Sequence, residues 1–144
     1  MNSIQVKQEF NAPIDQVFEL LSKHATYNIA FAPIQVVRVK DALDPERPDG
    51  VGSVRRMGFG PIKPIKEEIT YVDINKRIEY KLIGNPLIKH HIGIIEFTEL
   101  GPNKTKVDYT IELQARAPFV SKLILAQLKL AITLGFKKLA KSVA

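Results

Sequence analysis

A chain of 144 residues, 45% hydrophobic and 25% charged, has the composition of a folded globular domain with a full core, which excludes disordered and collagen-like classes. It contains no cysteine, so disulfides, thiolate metal sites and cysteine nucleophiles are excluded as well. Its net charge of +6 permits contact with nucleic acid or anionic lipid without requiring it.

The opening MNSIQVKQEF alternates in polarity and lacks the apolar run of a signal peptide. No uncharged apolar stretch of about 18 residues argues for a membrane span. A soluble, cytoplasmic protein forming one domain over 1–144 is expected.

Ile4, Val6 and Phe10 alternate with Gln5, Lys7 and Glu9, the pattern of a half-buried strand. Pro13 suits a first helical turn, and Val17, Phe18, Leu20 and Leu21 supply that helix with an apolar face. A second short helix is expected around His24–Ile29, ending before Pro33. Residues 34–41 are rich in β-branched side chains, and 42–50, ALDPERPDG, read as a loop. Five further strands are expected at 51–59, 65–74, 77–84, 90–100 and 105–115. The gaps between them are short and rich in Gly, Pro and Asn, which suits antiparallel hairpins and not helical crossovers. From Pro118 to Val143 no further proline interrupts a long helix. The fold class is therefore α+β, a curved antiparallel sheet of about seven strands gripping one long C-terminal helix, with two short helices after strand 1.

A helical wheel of 118–143 gives a wide apolar arc of Val120, Leu123, Ile124, Leu128, Leu130, Ala131, Leu134, Gly135 and Leu139. Ala131 and Gly135 sit at its centre, where Leu or Ile would pack better, and helical Gly costs up to about 1 kcal/mol against Ala. Close approach of a strand is the first explanation, and room for a ligand is the second. Along the sheet, alternation places Ser53 and Arg55 with Met57 and Phe59, and Glu67 with Ile65, Ile69 and Tyr71. His90, Ile92 and Ile94 share a face, as do Tyr80 with Ile78 and Leu82, and Tyr109 with Val107 and Ile111. An apolar inner face dotted with Arg55, Glu67, Tyr71, Tyr80, His90 and Tyr109 fits a ligand pocket. Arg55 and Glu67 also fit a structural ion pair, as diagonal neighbours on adjacent strands.

The layout resembles the START-like (SRPBCC, birch-pollen-allergen-type) superfamily, particularly its bacterial polyketide cyclase/dehydrase-like branch. The residues that carry the likeness are Phe10-Asn-Ala-Pro-Ile-Asp-Gln-Val-Phe18, Gly50-Val-Gly-Ser-Val-Arg55, Glu67-Glu-Ile-Thr-Tyr-Val-Asp73, Arg77-Ile-Glu-Tyr80 and the helix end 134–140. The resemblance implies a cavity between sheet and long helix that holds lipids, hormones, polyketides or other apolar molecules. In similar plant hormone receptors the positions of Arg55, Met57, Phe59, Glu67 and Tyr80 line that cavity. The gating loop of those receptors is replaced here by Gly60-Pro-Ile-Lys-Pro64.

The expected wall is then Arg55, Met57, Phe59, Glu67, Tyr71, Tyr80, His90, Ile92 and Tyr109 from the sheet, with Gln127, Ala131 and Gly135 from the helix. Non-covalent binding of a hydrophobic or amphipathic small molecule is the first reading. A cyclase or dehydratase with Glu67 moving a proton and Arg55 stabilising an enolate oxygen is the second. A surface-interaction protein with a closed core is the third. No phosphate loop or nucleophile elbow is present, and adjacent His90 and His91 point to opposite faces, so no cofactor and no metal are expected. The lysines of the last helix permit at most a peripheral membrane contact, and without a basic-aromatic motif no nucleic-acid partner is expected.

Overall fold

Strict alternation in residues 104–115 shows how the chain organises itself. Thr105, Val107, Tyr109, Ile111, Leu113 and Ala115 are all buried, while every residue between them is partly exposed. In the computed structural model, which describes residues 2–143, this strand is β7 (Lys104–Ala115) and lies between β1 (Asn2–Phe10) and β6 (Ile88–Gly101). The remaining strands are β2 (Gln35–Lys40), β3 (Val54–Phe59), β4 (Ile62–Asp73) and β5 (Arg77–Leu82). They form a seven-stranded sheet in the order β1-β7-β6-β5-β4-β3-β2, antiparallel throughout. Helices α1 (Ile14–Ser22) and α2 (Thr26–Ala30) connect β1 to β2, and α3 (Pro118–Ser142) follows β7. The architecture is the α+β helix-grip arrangement.

Turn chemistry moves two strand ends away from expectation. Gly60 adopts φ +53° and closes a tight turn, so β4 starts at Ile62, ahead of the expected 65. Gly52 adopts φ +89°, which delays β3 to Val54.

Five register shifts interrupt the alternation. The extra residues are Val39 in β2, one of Lys63 and Pro64 in β4 opposite Gly58, Thr70 in β4, and Lys89 and Leu100 in β6. Each extra residue reverses which side chains point inward beyond it.

The core forms where α1 and α3 meet the concave face. Val17, Phe18 and Leu21 bury the inner side of α1, and the Phe18 ring meets Phe97 edge-on at 5.1 Å. Phe136 of α3 packs on Phe10 and Tyr109 with centroids at 6.3 and 5.4 Å. The buried hydroxyl of Ser121 accepts the Ala115 amide at 2.8 Å, fixing the corner between β7 and α3.

The buried face of α3 differs from the expected arc. Ser121, Leu125, Ile132, Gly135, Phe136 and Leu139 face the sheet, whereas Leu123, Leu130 and Leu134 face solvent. The helix is apolar almost all round, so the wheel could not select the inner side. By length and composition α3 is apolar enough to cross a membrane, with mean hydropathy 1.6 over its best window. Its scattered lysines hid this from a search for uncharged runs, and one face of it belongs to the core.

Gly135 is explained by packing. A Cβ there would lie 2.7 Å from the Phe31 ring and 2.9 Å from the Ala30 carbonyl oxygen. The close neighbour is the end of α2 and not a strand. Gly135→Ala is expected to destabilise the protein by about 1–3 kcal/mol in urea unfolding, outweighing the gain of about 1 kcal/mol in helix propensity. A stabilised variant would show that α2 moves freely against α3.

Candidate functional site

A charged pair sits at the centre of the concave face. Arg55 on β3 lies directly across from Glu67 on β4, and Arg55 Nε donates to Glu67 Oε1 at 2.9 Å with both residues buried. The pair is in register and not diagonal, because the bulge at Lys63–Pro64 of β4 sets Met57 opposite Ile65. Desolvating both ions costs several kcal/mol, which the attraction offsets only with further partners. Those partners are aromatic. The guanidinium carbon lies 5.0 Å from the Tyr27 ring centroid and 4.9 Å from that of Tyr80. Burial alone would lower the Arg55 pKa, but the Glu67 carboxylate and the surrounding tyrosines hold it above its ordinary value.

The tyrosines form their own network. Tyr27 donates to the Leu21 carbonyl at 2.6 Å, and the Tyr80 and Tyr109 hydroxyls hydrogen-bond to each other. Burial pushes Tyr27 up to about 12 and raises Tyr80 and Tyr109 as well, so all three are neutral at physiological pH.

Two recesses meet at this cluster, both touching Tyr27, Arg55 and Tyr80. One, of about 380 Å³, opens between α3 and the β3–β4 hairpin. Its walls are mostly apolar, with Phe31, Met57, Phe59, Ile65, Leu128 and Ile132 among them. The other, of about 490 Å³, runs from the cluster past Ile69, Ile78 and Ile95 to a charged rim that includes Glu19, Lys23, Asp44 and Arg47.

Of the expected wall, Arg55, Met57, Phe59, Glu67, Tyr80, Tyr109 and Ala131 line the hairpin-side recess. Five other residues lie elsewhere. Tyr71 is turned outward by the bulge at Thr70, pairs with Glu79 and is exposed. His90 and Ile92 occupy the outer face of β6, where His90 Nε2 lies 3.3 Å from Glu112 Oε1. The inward residues of β6 are His91, Gly93, Ile95 and Phe97. Gly93 faces inward opposite Ile111, and the Tyr80 ring fills the space a Cβ would need there, only 2.1 Å away. Gln127 is exposed on α3 away from both recesses, and Gly135 is covered by Phe31.

The sequence reading missed Tyr27, Phe31, Ile34 and His91. Tyr27 and Phe31 are spaced i, i+4 and stack at 5.7 Å, a helical pairing visible in the sequence. His91 accepts the Leu82 amide on Nδ1 at 3.0 Å, so the neutral ring carries its proton on Nε2.

Over residues 1–144 the sequence matches the family described as polyketide cyclase / dehydrase and lipid transport. The chain belongs to this family. Its fold is similar to that of the Zhui aromatase/cyclase from Streptomyces sp. R1128, at 16% identity over 97% of this chain and 93% of that one, with TM-score 0.75. A Thermobifida fusca protein solved in solution gives 17% identity over 99% and 93%, with TM-score 0.76. A Thermus thermophilus protein gives 17% over 99% and 97%, with TM-score 0.74. Likeness at these identities shows the shared fold alone. No curated protein matches the sequence.

Within this polyketide cyclase-like chain, Ser53, His24 and Asp49 also fall in line. Ser53 Oγ lies 3.4 Å from His24 Nε2, and His24 Nδ1 lies 3.9 Å from Asp49 Oδ1. Ser53 has 0% exposure and lines neither recess, so it is no nucleophile. The group clamps the loop before β3. Asp49 accepts the His24 amide at 2.9 Å and Arg38 Nη1 at 2.5 Å.

Burial, reinforced by Arg55, lowers His24 from 6.5 to about 4, and burial lowers His91 in the same direction. His24 stays neutral when folded down to about pH 4 but takes up a proton when unfolded below about pH 6.5, and His91 acts in the same direction. Stability is therefore highest above that pH and falls as pH drops toward about 4. Between about pH 7.5 and about pH 5 the unfolding free energy is expected to fall by up to about 2 kcal/mol. His24→Gln should shrink that drop, and an unchanged drop would clear His24 of the effect.

The ion pair gives a second expectation. Glu67→Gln leaves Arg55 buried without a counter-charge and should cost about 3–5 kcal/mol in urea unfolding, while Arg55→Met with Glu67→Met recovers most of it. A single-variant loss below about 1 kcal/mol would mean that water screens the pair.

Proposed function

We propose that this protein binds a hydrophobic or amphipathic small molecule, of lipid, polyketide or isoprenoid character, between the sheet and α3 without covalent chemistry. The observation that carries this reading is the apolar recess ending on a buried charged cluster. Met57, Phe59, Ile65, Leu128 and Ile132 would cover an apolar body. At the inner end, the Glu67 carboxylate, the Tyr80–Tyr109 hydroxyl pair and the protonated Nε2 of His91 would orient a polar group. The family description and the recess support binding over a closed core. A cytoplasmic location belongs to the same reading.

The cyclase alternative is favoured by one observation, the likeness to an aromatase/cyclase. In that reading Glu67 exchanges a proton with a bound polyketide and Arg55 stabilises the resulting enolate. Their mutual hydrogen bond speaks for binding instead, because each satisfies the other before any substrate arrives.

Titration with parinaric acid, a fluorescent fatty acid, tests the binding reading. Saturable uptake is expected, and Ala131→Trp, which adds a ring to the recess wall, should weaken it at least about tenfold with an unchanged melting transition. Equal uptake by both proteins would place the ligand elsewhere. If a polyketide substrate is turned over, Glu67→Gln should abolish turnover while sparing binding; undiminished turnover removes Glu67 from the chemistry.

A further inference from the structure

Helix α3 is apolar on its outer side as well as its inner one. At about 100° per residue, Phe119, Leu123, Leu130 and Leu134 fall on a single strip opposite the Leu125–Ile132–Phe136 face. Their exposures are 76%, 60%, 62% and 57%. Four large apolar side chains aligned in solvent mark an interaction surface, since scattered single ones would be unremarked.

Charge decides what the surface meets. The helix carries Lys122, Lys129, Lys137, Lys138 and Lys141, all exposed, and no Asp or Glu. Among the described residues none of these lysines forms an ion pair. A second copy of α3 would bring like charges together with no carboxylate to answer them. A nucleic acid would answer the lysines and leave the leucines in water. An anionic bilayer answers both, taking leucine and phenylalanine into the headgroup–acyl boundary and lysine onto lipid phosphates.

The recess opens at the edge of the same strip. Ala131, next to Leu130, is exposed and lines it, and Phe59, Ile62 and Ile65 form exposed apolar side chains on its hairpin side.

We propose that the outer face of α3 docks on an anionic phospholipid bilayer through Phe119, Leu123, Leu130 and Leu134, with the helix lysines on lipid phosphates. Docking stands on α3 and does not require the recess to be filled; the ligand it would serve rests on the binding reading above.

Flotation of the full chain with vesicles tests it. The protein should float with equimolar phosphatidylcholine and phosphatidylglycerol and stay unbound with phosphatidylcholine alone. Leu123→Ser with Leu130→Ser should abolish flotation. Lys129→Gln with Lys137→Gln should weaken it about 25-fold, from about fivefold per lysine. All four positions are exposed, so melting should be unchanged. Absence of flotation, or flotation that ignores the leucine changes, overturns the proposal. So does a dimer in sedimentation that the leucine changes dissolve, which would assign the strip to a second copy. Parinaric acid uptake on the same samples separates the two ideas. Lost flotation with intact uptake overturns docking alone, and intact flotation without uptake overturns the binding reading alone.

Discussion

The constraint on which the concave face depends is a guanidinium that cannot give up its charge. Placed between the sheet and the helices, Arg55 requires a carboxylate in register and polarisable surfaces above and below. Glu67 meets the first need and the Tyr27 and Tyr80 rings meet the second. Four elements, α2, β3, β4 and β5, thereby converge on one side chain. The ion pair and its rings sit between the walls, and the two recesses lie on either side of them.

Those recesses differ in character, and the difference follows from which elements border them. Toward α3 and the β3–β4 hairpin the walls come from Met57, Phe59, Leu128 and Ile132, with little to hydrogen-bond. Toward α1 and the loop before β3 the rim carries Glu19, Lys23, Asp44 and Arg47. A molecule in the hairpin-side recess would place its apolar part against these walls and its polar part at the cluster. That asymmetry supports an amphipathic ligand over a uniformly apolar one, because the interior offers fixed polar groups at one level only.

The architecture was legible because strand alternation and turn chemistry agree along most of the chain. The inward parity of Arg55, Glu67, Tyr80 and Tyr109 follows from their neighbours alone. What stayed hidden depends on single inserted residues. The bulges at Thr70 and Lys89 leave no mark in hydropathy, yet they turn Tyr71 and His90 outward and bring His91 in. In β6 hydropathy even favours the wrong face, since Ile92 and Ile94 outweigh an inward Gly93 whose missing side chain is filled by Tyr80. The wheel of α3 misled for the opposite reason. With leucines on every side it had no direction to report, and only the sheet could show which of them the core takes.

That lack of direction has a physical consequence at the mouth of the hairpin-side recess. Moving an apolar ligand through water costs about 0.8 kcal/mol for each methylene exposed, so a chain of ten such groups faces a barrier of about 8 kcal/mol. A mouth surrounded by polar side chains would impose that cost at every entry and exit. Here the mouth is bordered by Phe59, Ile62 and Ile65 on the hairpin and adjoins the leucine strip of α3. A continuous apolar path from acyl chains to Met57 and Ile132 would remove most of the barrier, with Arg55 and Glu67 marking where the path ends.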